Sequence, residues 1–203
     1  MTALPMFPLG SALVPHMPLE LRLFEPRYLT MLADMITAER TLFGVVLIER
    51  GQEVGGGERR FDVGTIAEIT EVGGGDGFVA LSAVGGSRFE VLEWLDDAPY
   101  PRAELRLLDP LEWHEESTAA RERTEAEVRR ALAVASEFEQ QQYAAVVELS
   151  DDPLAACWQL AGIVPSGDLD RQAFLRCASL DELLTAVRTR ATEAIEQYSG
   201  FAD

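Results

Sequence analysis

The chain has 203 residues, 47% of them hydrophobic and 26% charged, and its 17 basic residues stand against 35 acidic ones for a net charge of −18. That length can bury a real core in one large or two small domains, and no apolar run reaches the roughly 18 residues of a membrane span. No basic residue precedes the apolar start, so no signal peptide is expected, and a surface this negative repels phosphate backbones and anionic lipid.

The halves share the charge: residues 1–110 carry nine arginines and seventeen acids, residues 111–203 eight and eighteen. Nucleic acid and membrane are therefore poor partners, and cationic or apolar protein surfaces are better ones. Every basic residue is arginine. Two cysteines, Cys157 and Cys177, fit a reduced, cytoplasmic protein better than a disulfide scaffold.

Up to about Asp109 the apolar pattern alternates with a period near two, broken by glycine clusters. Three prolines and several apolar side chains open the chain as stiff punctuation. "LELRLF" then puts Leu19, Leu21 and Leu23 on one face, with Glu20 and Arg22 on the other, which predicts a half-buried strand. Pro26 suits a first helical position. Tyr28, Leu29, Leu32, Met35 and Ile36 recur at helical spacing, predicting one inserted helix over about 26–39 with a single apolar stripe. "TLFGVVLIE" reads as a strand covered on both sides. "RFDVGTIAEITEV" places Phe61, Val63, Ala67 and Ile69 together, and "GFVALSAV", "SRFEVLEWL" and "RAELRLL" follow as further short strands. "GQEVGGGERR" and "GGGDG" read as hairpin loops, and 49–60 and 72–77 as mobile. Six short strands so punctuated suggest a closed or nearly closed barrel.

Beyond Trp113 the spacing becomes helical. From about Glu115 to Leu149, Val128, Leu132, Ala135, Phe138, Val146 and Val147 mark one buried face. Asp152 and Pro153 read as the N-cap and first position of the next helix, with Gly162 able to end it. "DLDRQAFLRC" supplies a short helix, and Ser179 with Glu182 forms a capping-box signature before a last one. The expectation is an α+β chain: a barrel over 1–110 and a four-helix bundle over 111–203.

The usual catalytic constellations are missing. A P-loop needs a lysine within G-x-x-x-x-G-K-[ST], and this chain has neither; its glycine runs do not lead into helices, so no nucleotide is expected. A serine–lysine dyad fails for the same reason. His16 and His114 are the only histidines, no serine lies in a G-x-S-x-G elbow, and the histidines and cysteines lack metal-ligand spacing. Paired carboxylates such as Asp96–Asp97 and Asp151–Asp152 sit at turns and caps. No enzyme, cofactor or metal is expected, and the sequence reads as that of a binding protein.

"PMFPLGSALVPHMPLELRLFEPRYLTML" resembles the start of the Lon substrate-binding domain, the N-terminal domain of the ATP-dependent Lon proteases. The matching residues are Pro5, Phe7, Pro8, Leu9, Pro15, Pro18, Leu21, Phe24, Glu25, Pro26, Arg27 and Tyr28, with Leu23 where the family often has isoleucine. Gly44, Gly64, Gly86, Arg88, Phe89, Tyr100 and Ala103 continue the likeness; the helical part matches mainly through "LAGIVPSGDLDRQAFLRCASLDELL". The resemblance implies a PUA-like β-barrel followed by helices, and binding of substrates or partners rather than chemistry. Full Lon proteases continue into ATPase and serine–lysine protease modules, and neither is read in these 203 residues.

The expected clients are unfolded or apolar polypeptide segments in protein quality control; the alternative is an adaptor for one folded partner. Binding is expected in a groove between barrel and bundle, lined by Met6, Met17, Met31 and Met35, since methionine adapts to varied apolar surfaces. Phe7, Phe24, Arg27, Tyr28 and Arg88 complete the candidate set, with a largely structural part for the opening block: Phe7, Leu9 and Phe24 seal the barrel, and Arg27 offers a planar fork to a carboxylate or to backbone carbonyls.

Overall fold

The computed structural model describes residues 3–50 and 59–200. The chain divides into two compact units, 1–110 and 111–203.

The first unit holds β1 (Ala3–Leu9), β2 (Pro18–Leu23), α1 (Pro26–Thr37), β3 (Leu42–Arg50), β4 (Arg59–Gly75), β5 (Phe78–Trp94) and β6 (Arg102–Leu107). They form one sheet in the order β2-β5-β4-β3-β1-β6, with a further β5–β6 pairing. Strand β5 is long enough to serve two neighbours. Its first half pairs with β2 through Val79–Val84, and its second half with β6 through Phe89–Trp94. At the β6 end the pairings close a ring of β5, β4, β3, β1 and β6. At the other end, among the described residues, β2 and the Phe7–Leu9 part of β1 are not paired to each other. The architecture is α+β as expected, but the sheet is a partly open ring rather than a clear barrel.

Strand β1 is one the alternation did not predict. Its run of buried residues serves two faces at once. Met6 packs with Val46, Ile66, Phe89 and Ala103, while Phe7 stacks on Tyr28 of α1 at 4.0 Å and meets Phe43 edge-on at 6.3 Å. A strand covered on both sides carries no polar alternation. Its prolines fall where no ladder donor is needed. Pro5 precedes the parallel β3 ladder, which begins at Met6. The Met6 N–H donates to Pro101 O at 2.9 Å, away from β3, so by alternation Pro8 also faces that side, where a missing donor costs nothing.

The six-strand count holds for a different reason than expected. "GFVALSAV" and "SRFEVLEWL" are one strand, β5, and Gly85 inside it marks a close approach rather than a break. A Cβ at Gly85 would lie 2.4 Å from the carbonyl oxygen of Val14. The segment before β2 is laid across it: His16 N–H donates to Gly85 O at 2.7 Å, and Gly85 N–H to Met17 O at 2.9 Å. The buried Thr65 hydroxyl donates to Leu13 O at 2.6 Å from beneath. Residues 72–75 also belong to a strand, the end of β4, instead of a mobile loop; the hairpin is only Asp76–Gly77, with Gly77 at φ 81°. Most of the other expected mobile run, 51–58, lies outside the described residues.

The second unit contains a 3-10 turn (Glu115–Ser117) and α2 (Thr118–Ser136), α3 (Pro153–Ile163), α4 (Asp168–Phe174) and α5 (Leu180–Ser199). Helices α2 and α5 are the long pair, bridged by Thr124, whose hydroxyl donates to Leu184 O at 3.4 Å. Helix α3 is apolar nearly all round and buried accordingly. Asp152 caps it by accepting from Ala155 N–H at 2.7 Å; it runs through Gly162 and stops at Ile163. Ser179 caps α5 from Glu182 N–H, while the Glu182 carboxylate accepts from Ala178 N–H at 2.8 Å.

The expected helix over 115–149 ends at Ser136, and residues 137–152 form a long connection. Its local sequence suits a helix, but tertiary contacts win. Phe138 stacks on Tyr198 at 5.9 Å, Tyr198 donates to Glu139, and Arg129 of α2 donates to Ala145 O and Val147 O at 2.6 and 3.1 Å. Val146 is consequently 86% exposed instead of buried.

Candidate functional site

The junction of β2 and α1 combines concavity with exposed apolar surface. Glu25 is the N-cap and Pro26 the first helical residue of α1, so the chain turns sharply out of β2. Phe24 stands before the cap and Leu29 at the fourth helical position, the two places of a hydrophobic staple. The turn frames a cavity of about 140 Å³, lined by Phe7 and Leu9 of β1, Leu21 and Leu23 of β2, and Phe24 and Tyr28, with the charged Glu20, Arg22 and Glu25 completing its wall.

Helix α1 has two apolar stripes where one was expected. Tyr28, Met31, Leu32 and Met35 are buried against the sheet. Leu29 and Ile36, which the periodicity assigned to the core, are exposed, Ile36 by 60%. With exposed Ala33 they share the outer face, one position round from the buried stripe. Phe24 is 58% exposed at the cavity mouth. Two overlapping stripes at i, i+3, i+4 and i+7 were visible in the sequence; which one faces the sheet was not.

The charges around the mouth are held locally. Arg27 donates from Nε to Glu25 at 3.1 Å and lies over the Tyr28 ring at 4.6 Å. Arg22 lies 5.3 Å from the Phe78 ring centre, and the Ser82 hydroxyl donates to Glu20 at 2.7 Å. Deeper along α1, Tyr100 donates to Asp34 at 3.1 Å; burial first, then this hydrogen bond, raises the phenol pKa.

The candidate residues separate by depth. Met6, Met17, Met31 and Met35 are all buried core. Phe7 and Tyr28 are buried but line the cavity, Phe24 lines it while exposed, and Arg27 is not in the lining but is bonded to Glu25, which is. Arg88 is buried elsewhere in the unit, its guanidinium donating to Asp109 O at 2.8 Å, where it ties the end of β6 back to β5.

A second cavity, of about 260 Å³, lies within the helical unit, lined by Gln141, Gln142, Tyr143, Arg171, Arg190 and Tyr198 among others. Its cations are already matched: Arg171 approaches Asp168 at 3.5 Å, and Arg190 approaches Asp170 and Glu193 at 3.3 Å each. His16 is exposed, as is His114, 3.7 Å from Glu112. Cys157 is buried, and burial pushes its thiol up to about 11. Among the described residues no three His, Cys, Asp or Glu side chains converge on a point where a metal ion could bind, and no helix is long and apolar enough to cross a membrane.

Comparison with known proteins bears on this geometry. The Lon N-terminal domain protein from Xanthomonas campestris superposes with a TM-score of 0.65 at 24% identity, over 93% of this chain and 98% of that one. The N-terminal domain of the Mycobacterium avium complex Lon protease superposes at 0.66 with 15% identity, over 95% and 99%. At these identities the likeness is one of fold. A search of curated protein sequences returns no match. The sequence model of the ATP-dependent protease La (LON) substrate-binding domain, which is not a catalytic module, matches residues 3–190. The chain therefore belongs to the LON substrate-binding domain family.

Proposed function

We propose that the chain is a non-catalytic module that holds unfolded or damaged polypeptides by their apolar segments, in cytoplasmic protein quality control. The observation that carries this reading is the cavity beneath Phe24, continued along α1 by exposed Leu29 and Ile36. Solvent-facing apolar side chains beside a concave apolar site mark surfaces that take other chains. Family membership supports a substrate-binding role.

In this reading the first unit is a PUA-like barrel with one open side and the second a four-helix bundle. Phe7, Phe24, Arg27 and Tyr28 form the binding surface with Leu29 and Ile36. The buried Met31 and Met35 seat α1 from within, while Met6 and Arg88 lie in other parts of the unit. The net charge of −18 selects cationic and apolar segments and turns away nucleic acid and nucleotides.

The test is fluorescence anisotropy with one labelled polypeptide in two states, native and reduced-carboxymethylated. The unfolded form is expected to bind and the native form not. Binding of neither rejects the reading. Tight binding of a folded partner alone would instead favour the adaptor role.

A further inference from the structure

We infer that client chains bind by adding an extended strand to the free edge of β2, an inference that rests on the polypeptide-binding role and specifies its geometry. Strand β2 ends the sheet order and pairs only with β5 among the described residues. Its hydrogen-bonding phase follows from the register. Gly85 N–H donates to Met17 O, and the ladder continues Leu19↔Ala83, Leu21↔Leu81 and Leu23↔Val79. In an antiparallel ladder alternate residues turn their N–H and C=O to the partner strand. The odd-numbered residues of β2 therefore bond β5, and Glu20 and Arg22 turn theirs outward. Pro18, with no N–H, also takes an outward position, as edge strands favour. Glu20 and Arg22 thus present two complete donor–acceptor sets.

The facing edge of β1 is blunted. Pro8 holds the outward position there and offers no donor. A strand entering beside β2 would run along the cavity lined by Phe7, Leu9, Leu21, Leu23 and Tyr28. Backbone bonds at Glu20 and Arg22 would supply sequence-independent affinity, and alternate apolar side chains would fill the cavity. Such recognition needs an extended, unpaired segment, which unfolded chains have and folded ones conceal. The occupant is a client rather than a second copy because of charge: a second copy would bring another −18 against the −18 already carried by this chain.

Arg22→Pro removes one outward donor and leaves the β5 ladder intact; Arg22→Ala keeps the donor and reports the side chain alone. Binding of reduced-carboxymethylated polypeptide is expected to be at least tenfold weaker for Arg22→Pro than for Arg22→Ala. Equal binding overturns the inference. Should circular dichroism show Arg22→Pro unfolded, the wild type decides, with a short peptide alternating leucine and threonine and capped by arginine. N-methylation at all leucines or at all threonines blocks one peptide edge, and one of the two is expected to abolish binding. If both methylated peptides bind like the parent, edge addition is overturned while polypeptide binding stands. If the wild type binds neither the peptide nor the unfolded polypeptide, both readings fall. Concentration-dependent self-association in sedimentation, lost in Arg22→Pro, would overturn the choice of a client as occupant.

Discussion

Replacing Phe24 by alanine separates binding from folding. An aromatic side chain offers about 150–250 Å² in all, and Phe24 is 58% exposed, so roughly 100 Å² remains for a partner to cover. At about 25 cal/mol per Å² this amounts to ~2.5 kcal/mol. Ordering the side chain on binding offsets about 0.5–1.5 kcal/mol of that, leaving 1–2 kcal/mol, or about five- to thirtyfold in affinity. In the folded protein the exposed Phe24 contributes little burial beyond part of the cavity rim, so the thermal midpoint should fall by only a few degrees. Anisotropy titration with labelled reduced-carboxymethylated polypeptide measures the first effect and thermal denaturation the second. Leu107→Ala is the control, because Leu107 is equally exposed (61%) but lies on β6. If the two variants bind alike, the β2–α1 junction is not the binding surface.

Gly85→Ala should lower stability by about 1–3 kcal/mol in urea unfolding, since its Cβ meets the Val14 carbonyl at 2.4 Å. Gly86→Ala, whose nearest neighbour is Ile66 O at 3.4 Å, should cost less, and equal effects would contradict the close-approach account. With its pKa raised by burial to about 11, Cys157 stays a protonated thiol throughout the neutral range. Native protein at pH 8 should therefore show one thiol reactive towards a disulfide reagent, the half-exposed Cys177, and two after denaturation; two reactive thiols in the native state would refute this. Arg129→Ala removes the bonds to Ala145 O and Val147 O, so limited proteolysis should cut 137–152 several times faster. An unchanged cleavage rate would show that Arg129 does not hold the connection.

What could be read in advance followed the locality of the signal. Pro26 at the start of α1, Asp152 and Ser179 as caps, and the strand period of β2 all act within a few residues, and each was legible. Strand β1 was not, because a strand buried on both faces has no alternation and its prolines resemble turn residues until their orientation is known. The break at Gly85–Gly86 was misread because a glycine that admits a neighbouring backbone looks, in sequence, like one that turns. The end of α2 depends on Tyr198 and Arg129, the first of them about sixty positions from the Phe138 it stacks on. The proposed site was half legible. The motif around Phe24, Arg27 and Tyr28 stands out in the sequence, but the four methionines beside it are core, and helical periodicity assigns the exposed Leu29 and Ile36 to the interior. Helical periodicity reports that a face is apolar and leaves open what covers it.

Site-resolved crosslinking puts the main claim to the sharpest trial. An unfolded polypeptide carrying photoreactive phenylalanine analogues is irradiated with the wild-type chain, and the adducts are mapped by mass spectrometry. Adducts concentrated between Glu20 and Ile36, and competed away by unlabelled unfolded polypeptide, are the expected result. Adducts confined to the helical unit, or spread evenly over the surface, would contradict a polypeptide-binding site at the β2–α1 junction.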